Sequence, residues 1–145
     1  MAEMIPDDQG RIVLLNPANP MMGADIVIAQ PARVRWALRT FQAELQTDVA
    51  LGDRIPELII TQDGIEAIRI TASQQLAPSL TFIYGWMEGE RALALTGQTS
   101  RVTALPRRLL LNNQAQISTL TVGIDAMDQW LNVVLMVEEW IEPLV

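Results

Sequence analysis

Apolar residues along this chain fall in short runs with the two-residue alternation of half-buried strands, and glycine, proline or asparagine closes most of them. The sharpest case is Leu58-Ile59-Ile60-Thr61-Gln62-Asp63-Gly64-Ile65-Glu66-Ala67-Ile68-Arg69-Ile70. Asp-Gly supplies the two positive φ angles of a type I′ turn, so this stretch predicts a β-hairpin. In the simplest register Gln62 faces Ile65, Ile60 faces Ala67 and Ile59 faces Ile68. Apolar groups then lie on both faces, one for the core and one for a neighbour. Further strands are predicted at 25–29, 80–86, 92–96, 101–104, 109–111, 117–122 and 131–141. Gly85, Gly89, Gly97, Pro106, Asn112, Asn113 and Gly123 stand at or near their ends. In the last run Val133, Leu135 and Val137 point one way and Val134, Met136 and Trp140 the other, as expected of a central or interface strand. The pattern predicts an all-β protein: a single antiparallel β-sandwich, jelly-roll-like, over residues 24–145.

Two segments depart from that pattern. Residues 31–45 place Val34, Leu38, Phe41 and Leu45 at helical spacing behind Pro31, so a helix fits them. A strand fits equally, with Val34, Trp36 and Leu38 on one face and Phe41, Ala43 and Leu45 on the other. A bulge near Arg39 or Thr40 would bring both sets to one core. At the other end of the chain, the apolar Arg11–Leu15 run gives way to Asn16, Pro17, Asn19 and Pro20. The prolines remove ladder donors, so residues 1–23 are expected to form an extended arm outside the core. Removing residues 1–22 should then leave the domain folded.

Composition narrows the chemistry. The 145 residues contain no histidine, cysteine or lysine. Most of the usual nucleophiles, proton shuttles and metal ligands are therefore missing. Carboxylates, hydroxyls and arginine remain, and a carboxylate pair drawn from Asp48, Asp53, Glu57, Glu88, Glu90, Glu138 and Glu139 is the one catalytic arrangement left open. No nucleophile elbow, phosphate loop or metal-protease motif occurs, so no catalytic, cofactor-binding or metal-binding residue is nominated. Asp125 and Asp128 have a spacing that suits loop capping beside Trp130 better than calcium, which requires more oxygens than this loop offers. Trp36, Trp86, Trp130, Trp140 and Tyr84 sit inside apolar runs and are expected in the core or an interface rather than on a sugar-stacking platform.

Half the residues are apolar, and mean hydropathy is +0.20. No run approaches the roughly 20 apolar residues of a membrane span, so the surplus is expected at contacts between subunits. A net charge of −7 argues against nucleic acid as a partner. Residues 1–10 carry Glu3, Asp7 and Asp8 and no basic side chain, unlike a secretory signal. Arginine without lysine suits fixed contacts, because a guanidinium grips a carboxylate with two parallel hydrogen bonds. Arg33, Arg35 and Arg39 are placed either to meet an acidic neighbour or to pair with Glu44 or Asp48 of their own chain. Arg107 and Arg108 form a second basic doublet at a strand boundary. With Pro17, Pro20, Met21 and Met22 of the arm, and Trp140 of the last strand, these arginines are the interface candidates.

The order of several short motifs resembles the small virion structural proteins of tailed bacteriophages. These are Trp36 with Phe41 and Leu45, Thr47-Asp48, Asp53-Arg54-Ile55-Pro56, the hairpin, Ala72-Ser73, Leu105-Pro106, the 109–111 run, Asp125 to Asp128 with Trp130, and Val137-Glu138-Glu139-Trp140. The resemblance covers about residues 24–142 and implies strand for 31–45. Met21-Met22 has no counterpart in it, and residues 31–45 are poorer in β-branched side chains than the pattern. It implies a homo-oligomeric β-sandwich on a phage particle, made in the bacterial cytoplasm and bound to the major capsid protein or another virion protein as a decoration or cement subunit. The alternatives are a neck or tail component, or a receptor- or glycan-binding module. No catalytic residue comes with it.

Overall fold

Alternation becomes strand almost everywhere it was strongest. The computed structural model describes residues 10–89, 93–94, 99–112 and 114–141. Eleven strands run through them: β1 (Arg11–Leu15), β2 (Val27–Ala29), β3 (Val34–Gln46), β4 (Ile55–Gln62), β5 (Ile65–Thr71), β6 (Thr81–Glu88), β7 (Leu93–Ala94), β8 (Ser100–Leu105), β9 (Leu110–Leu111), β10 (Gln116–Val122) and β11 (Gln129–Ile141). One sheet has the order β1-β11-β3-β6-β8-β7, with β9 also paired to β3; the other has the order β2-β10-β4-β5. The two pack as a sandwich. All pairs are antiparallel except β6 with β8, which run parallel. Glu90, Gly97, Asn113 and residues 1–9 and 142–145 lie outside the described residues.

Residues 34–46 are strand, and Arg39 is the bulge that makes this possible. Leu38 pairs with Val137 and Thr40 with Met136, leaving Arg39 as the extra residue. The reset brings Trp36 and Leu38, then Phe41, Ala43 and Leu45, onto one buried face. Burial of that face outweighs the helical propensity of an Ala-, Arg- and Gln-rich segment. The core is completed by Tyr84 and Trp86 of β6 and by Val133, Leu135 and Val137 of β11, against Leu58, Ile60 and Ile117 of the opposite sheet. Its aromatics meet edge-on or stacked, Phe41 with Trp86 at 5.8 Å and Tyr84 with both Trp86 and Trp130 at 6.2 Å between ring centres.

The hairpin forms with Asp63 and Gly64 both at positive φ, but its register differs from the simple expectation. Gln62 does face Ile65, and then Ala67 bulges out, so that Ile60 faces Ile68 and Ile59 faces Arg69. The unbulged register would have put Arg69 beside Leu58 on the core face. The bulge instead pairs Leu58 with Ile70 inside and turns Arg69 outward to Glu57 and Glu66 at 2.6 and 2.7 Å.

The segment read as an arm is extended, and part of it belongs to the sheet. Arg11–Leu15 pair with β11 from Glu139 to Leu135, and Val13 and Leu15 pack on the core. Residues 16–22 then run to the far end of β11. Asn19 Oδ1 accepts the Asn132 N–H there, and Gln129 Nε2 donates to the Pro20 carbonyl. Removing residues 1–22 would strip an edge strand as well as an arm.

Candidate functional site

The loops at one end of the sandwich are organised around a buried ion pair. Arg54 precedes β4 and Asp128 precedes β11; their side chains are 1% and 0% exposed. Arg54 Nε donates to Asp128 Oδ2 at 2.8 Å and Nη2 to Oδ1 at 3.0 Å, a two-pronged grip. Nη2 also reaches Asp48 Oδ1 at 2.7 Å, while Nη1 donates to the Ala50 and Gly52 carbonyls at 2.8 and 2.5 Å. All five guanidinium donors are therefore used. Asp128 accepts two further bonds, from the Asp48 and Asp125 N–H groups at 2.9 and 2.8 Å. Burial pushes the Asp128 carboxyl up, but the Arg54 hydrogen bonds and these two backbone donors bring it below its ordinary value. Asp125 and Asp128 thus tie loops together beside Trp130, as their spacing suggested.

Three loops gain fixed positions from this arrangement. Residues 48–53 are held by Arg54, and residues 124–128 by Asp128. The turn at Met21 to Ala24 joins them through the Gly23 N–H, which donates to the Asp128 carbonyl at 2.7 Å. Gly23 has φ +77°, and a Cβ there would lie 2.8 Å from the Ala126 oxygen, so only glycine fits. What these loops display is apolar: Leu51 is 96% exposed, Met21 83%, Val49 81%, Met127 60% and Met22 53%.

The remaining interface candidates disperse. Pro17 and Pro20 are half-buried; Arg33, Arg35, Arg107 and Arg108 are exposed. Arg39 pairs with neither Glu44 nor Asp48. It binds Glu88 at 2.8 Å and, more closely still, Glu138. Glu138 also accepts the Gly10 N–H at 2.8 Å, and Glu88 the Arg108 N–H at 3.1 Å. Trp140 is half-buried, its ring beside Gly10, where a Cβ would come within 2.9 Å of it. Away from this group, an open apolar groove of about 310 Å³ lies between residues 15–17 and Ile28, Ala29 and Pro31, with Trp36 also lining it.

The carboxylates within the described residues that composition left open for catalysis are each engaged. Asp48 and Glu57 meet Arg54 and Arg69; Asp53 meets Gln75 Nε2 at 2.6 Å. Glu139 accepts the Trp36 indole N–H at 2.9 Å and pairs with Arg11 at 2.8 Å. The Arg39 hydrogen bond holds Glu138 below its ordinary pKa, and the Trp36 and Arg11 bonds do the same for Glu139, opposite to the upward shift of a general acid. Trp36, Trp86, Trp130 and Tyr84 are core residues.

Sequence reasoning missed the two residues that matter most here. Arg54 enters the sequence reading only within the Asp53-Arg54-Ile55-Pro56 motif, where nothing but the preceding aspartates, Asp48 and Asp53, hints at a paired guanidinium. Leu51 carries no signal that separates it from a core leucine. Comparison of the chain with protein-family models, curated proteins and solved structures returned no match in any of the three.

Proposed function

We propose that this chain is a non-enzymatic structural subunit of a tailed-phage virion, a capsid decoration or cement protein that binds across the joints between capsomers. The observation that carries this reading is the set of large apolar side chains held in water on rigid loops at one end of the sandwich. Such a surface is unfavourable for an isolated molecule and favourable for one whose working state is bound. A specific contact covers about 1,600 Å², and its apolar part contributes about 25 cal/mol for each Å² removed from water. Repeated over many symmetric copies, modest contacts raise the work needed to separate capsomers. Because the loops are ordered before binding, little of that gain is lost to ordering them.

The acids engaged by arginines or, for Asp53, by Gln75, and the burial of Trp36, Trp86 and Trp130 in the core, favour this reading over a carboxylate hydrolase or a sugar-stacking module. The test is co-sedimentation of the purified chain with empty shells of the major capsid protein encoded in the same genome. Saturable pelleting in fixed stoichiometry, with a raised temperature of shell disruption, is expected. A chain that remains in the supernatant at micromolar concentration refutes it.

A further inference from the structure

We propose that β1 is a dimerisation edge: the β1 strands of two copies pair antiparallel about Val13 and join their larger sheets into one. This edge lies apart from the loop end, and the inference goes beyond whatever that end binds.

A strand at the rim of a sheet turns the N–H and C=O of alternate residues away from its one neighbour, and these groups pair readily with another extended chain. Proteins that stay single guard such rims with short strands, bulges or charge. The two sheets end in β1, β7, β2 and β5. Three of these are guarded among the described residues. β7 and β2 span two and three residues, and β5 carries the Ala67 bulge with exposed Glu66 and Arg69 on either side of it.

β1 has none of these devices. Its five residues pair with β11 without a bulge, none is proline, and its one charge, Arg11, is turned back to Glu139 at 2.8 Å. Val13 and Leu15 face the core yet stay half-buried, while Ile12 and Leu14 on the opposite face are 58% and 70% exposed. The result is a flat, apolar rim with unpaired backbone groups.

The strand's own sequence selects a second copy as its partner. Both cores lie on one side of a joined sheet only if outward residues oppose outward residues. Of the registers that satisfy this, pairing about Val13 engages all five residues of each strand, and a shift by two in either direction engages only three. The central register sets Ile12 of each copy against Leu14 of the other, closing the exposed aliphatic side chains into one strip. Arg11 falls opposite Leu15, so the two guanidiniums stay apart. Charge does not oppose the contact, although each chain carries −7. The acids beside β1, Glu138 and Glu139, are each held by an arginine, Arg39 and Arg11. A two-fold pairing consumes the same edge of both copies, and the other edges are guarded, so association stops at two.

The chain contains no cysteine, so each introduced thiol is unique and the register can be read by disulfide formation. Opposed residues have Cα atoms about 4.5–5.5 Å apart, within disulfide reach. Leu14 and its own counterpart are diagonal neighbours, roughly 7–8 Å apart and at the limit. Full-length Ile12→Cys and Leu14→Cys, mixed and oxidised, are expected to cross-link several-fold more than either variant alone, and Val13→Cys should cross-link with itself. Sedimentation equilibrium of the native chain should show a dimer that Leu14→Lys weakens by about tenfold or more, since the change enters the contact twice. Position 14 is exposed, so the thermal melt should not change. A native chain that stays monomeric at about 100 μM, or a mixture that cross-links no better than its components, overturns the proposal. If the native chain is monomeric and Leu14→Lys abolishes pelleting with shells, the edge pairs with a shell strand, so the dimer fails and the virion reading survives. A dimer that does not pellet with shells leaves this inference standing and refutes the virion reading.

Discussion

Replacing Asp128 with asparagine tests the loop end most directly, because the change preserves shape and removes charge. The asparagine oxygen can still accept from Arg54 Nη2 and the Asp48 N–H, the partners of Oδ1 at 3.0 and 2.9 Å. The new amide nitrogen, in the place of Oδ2, would then face the Arg54 Nε–H and the Asp125 N–H, two donors now 2.8 Å from an acceptor. Flipping the amide moves the conflict to the other pair. Arg54 would keep its charge at 1% exposure with one carboxylate, Asp48, in place of two. Breaking one side of a buried pair costs about 3–5 kcal/mol, and the surviving Asp48 contact places the expected loss near 3. For a domain of this size that is a fall in Tm of roughly 10 °C. Urea unfolding followed by tryptophan fluorescence reads the change in ΔG, and hydrogen exchange at residues 48–53 reads the loop. A loss under about 1 kcal/mol, with exchange unchanged at Ala50 to Asp53, would refute the reasoning that Asp128 holds this end together.

Phe41→Ala, which empties a fully buried site against Trp86, should cost about 3–5 kcal/mol in the same urea assay. Gly23→Ala combines a positive φ with a Cβ 2.8 Å from the Ala126 oxygen and should lose roughly 1–3 kcal/mol, whereas Gly64→Ala, at φ +77° with open space around it, should lose only about 1; paired thermal melts compare them. Asp128, Glu138 and Glu139 all titrate lower folded than unfolded. Their contribution is therefore complete above the ordinary carboxylate range and is lost as pH falls below about 4, so stability measured from pH 7 downward should hold to about pH 5 and then drop. Deleting residues 1–15 removes Val13 and Leu15 and bares the edge of β11, and light scattering at fixed concentration should show aggregation that the full chain does not.

Features governed by local chemistry were legible in the sequence. Asp-Gly fixes a turn whatever surrounds it, and the alternation of Val133, Leu135 and Val137 survives because the reset of that strand lies before it, at Asn132 (φ +52°), which returns Trp130 and Val133 to the same buried face. Even the bulge at Arg39 could be anticipated, since only a one-residue reset brings Trp36 and Phe41 to the same side. The bulge at Ala67 is the same device and escaped notice because both faces of the hairpin are apolar, so alternation alone does not choose a register. Residues 11–15 looked like part of an arm because the prolines after them dominate the local pattern. Their pairing with β11 joins positions more than a hundred residues apart, which no local signal encodes.

Leu51 marks where reading by pattern ends, and the reason is physical. Apolar periodicity reports burial within the chain, so an exposed apolar residue in a loop reads as one more core residue or as loop noise. What sets Leu51 apart is a relation among distant groups: Asp128 positions Arg54, Arg54 binds the carbonyls on either side, and the side chain between them is exposed. The same three groups that hold the loop are what a hydrophobic collapse of the loop onto the sandwich would have to break. Arg54→Met with Asp128→Leu strands no buried charge and should therefore cost less than Asp128→Asn, although the Asp48 and Asp125 N–H groups and the Ala50 and Gly52 carbonyls lose their partners. It should also release the clamp and raise hydrogen exchange at residues 48–53. Exchange unchanged at those residues would show that the ion pair does not hold the loop.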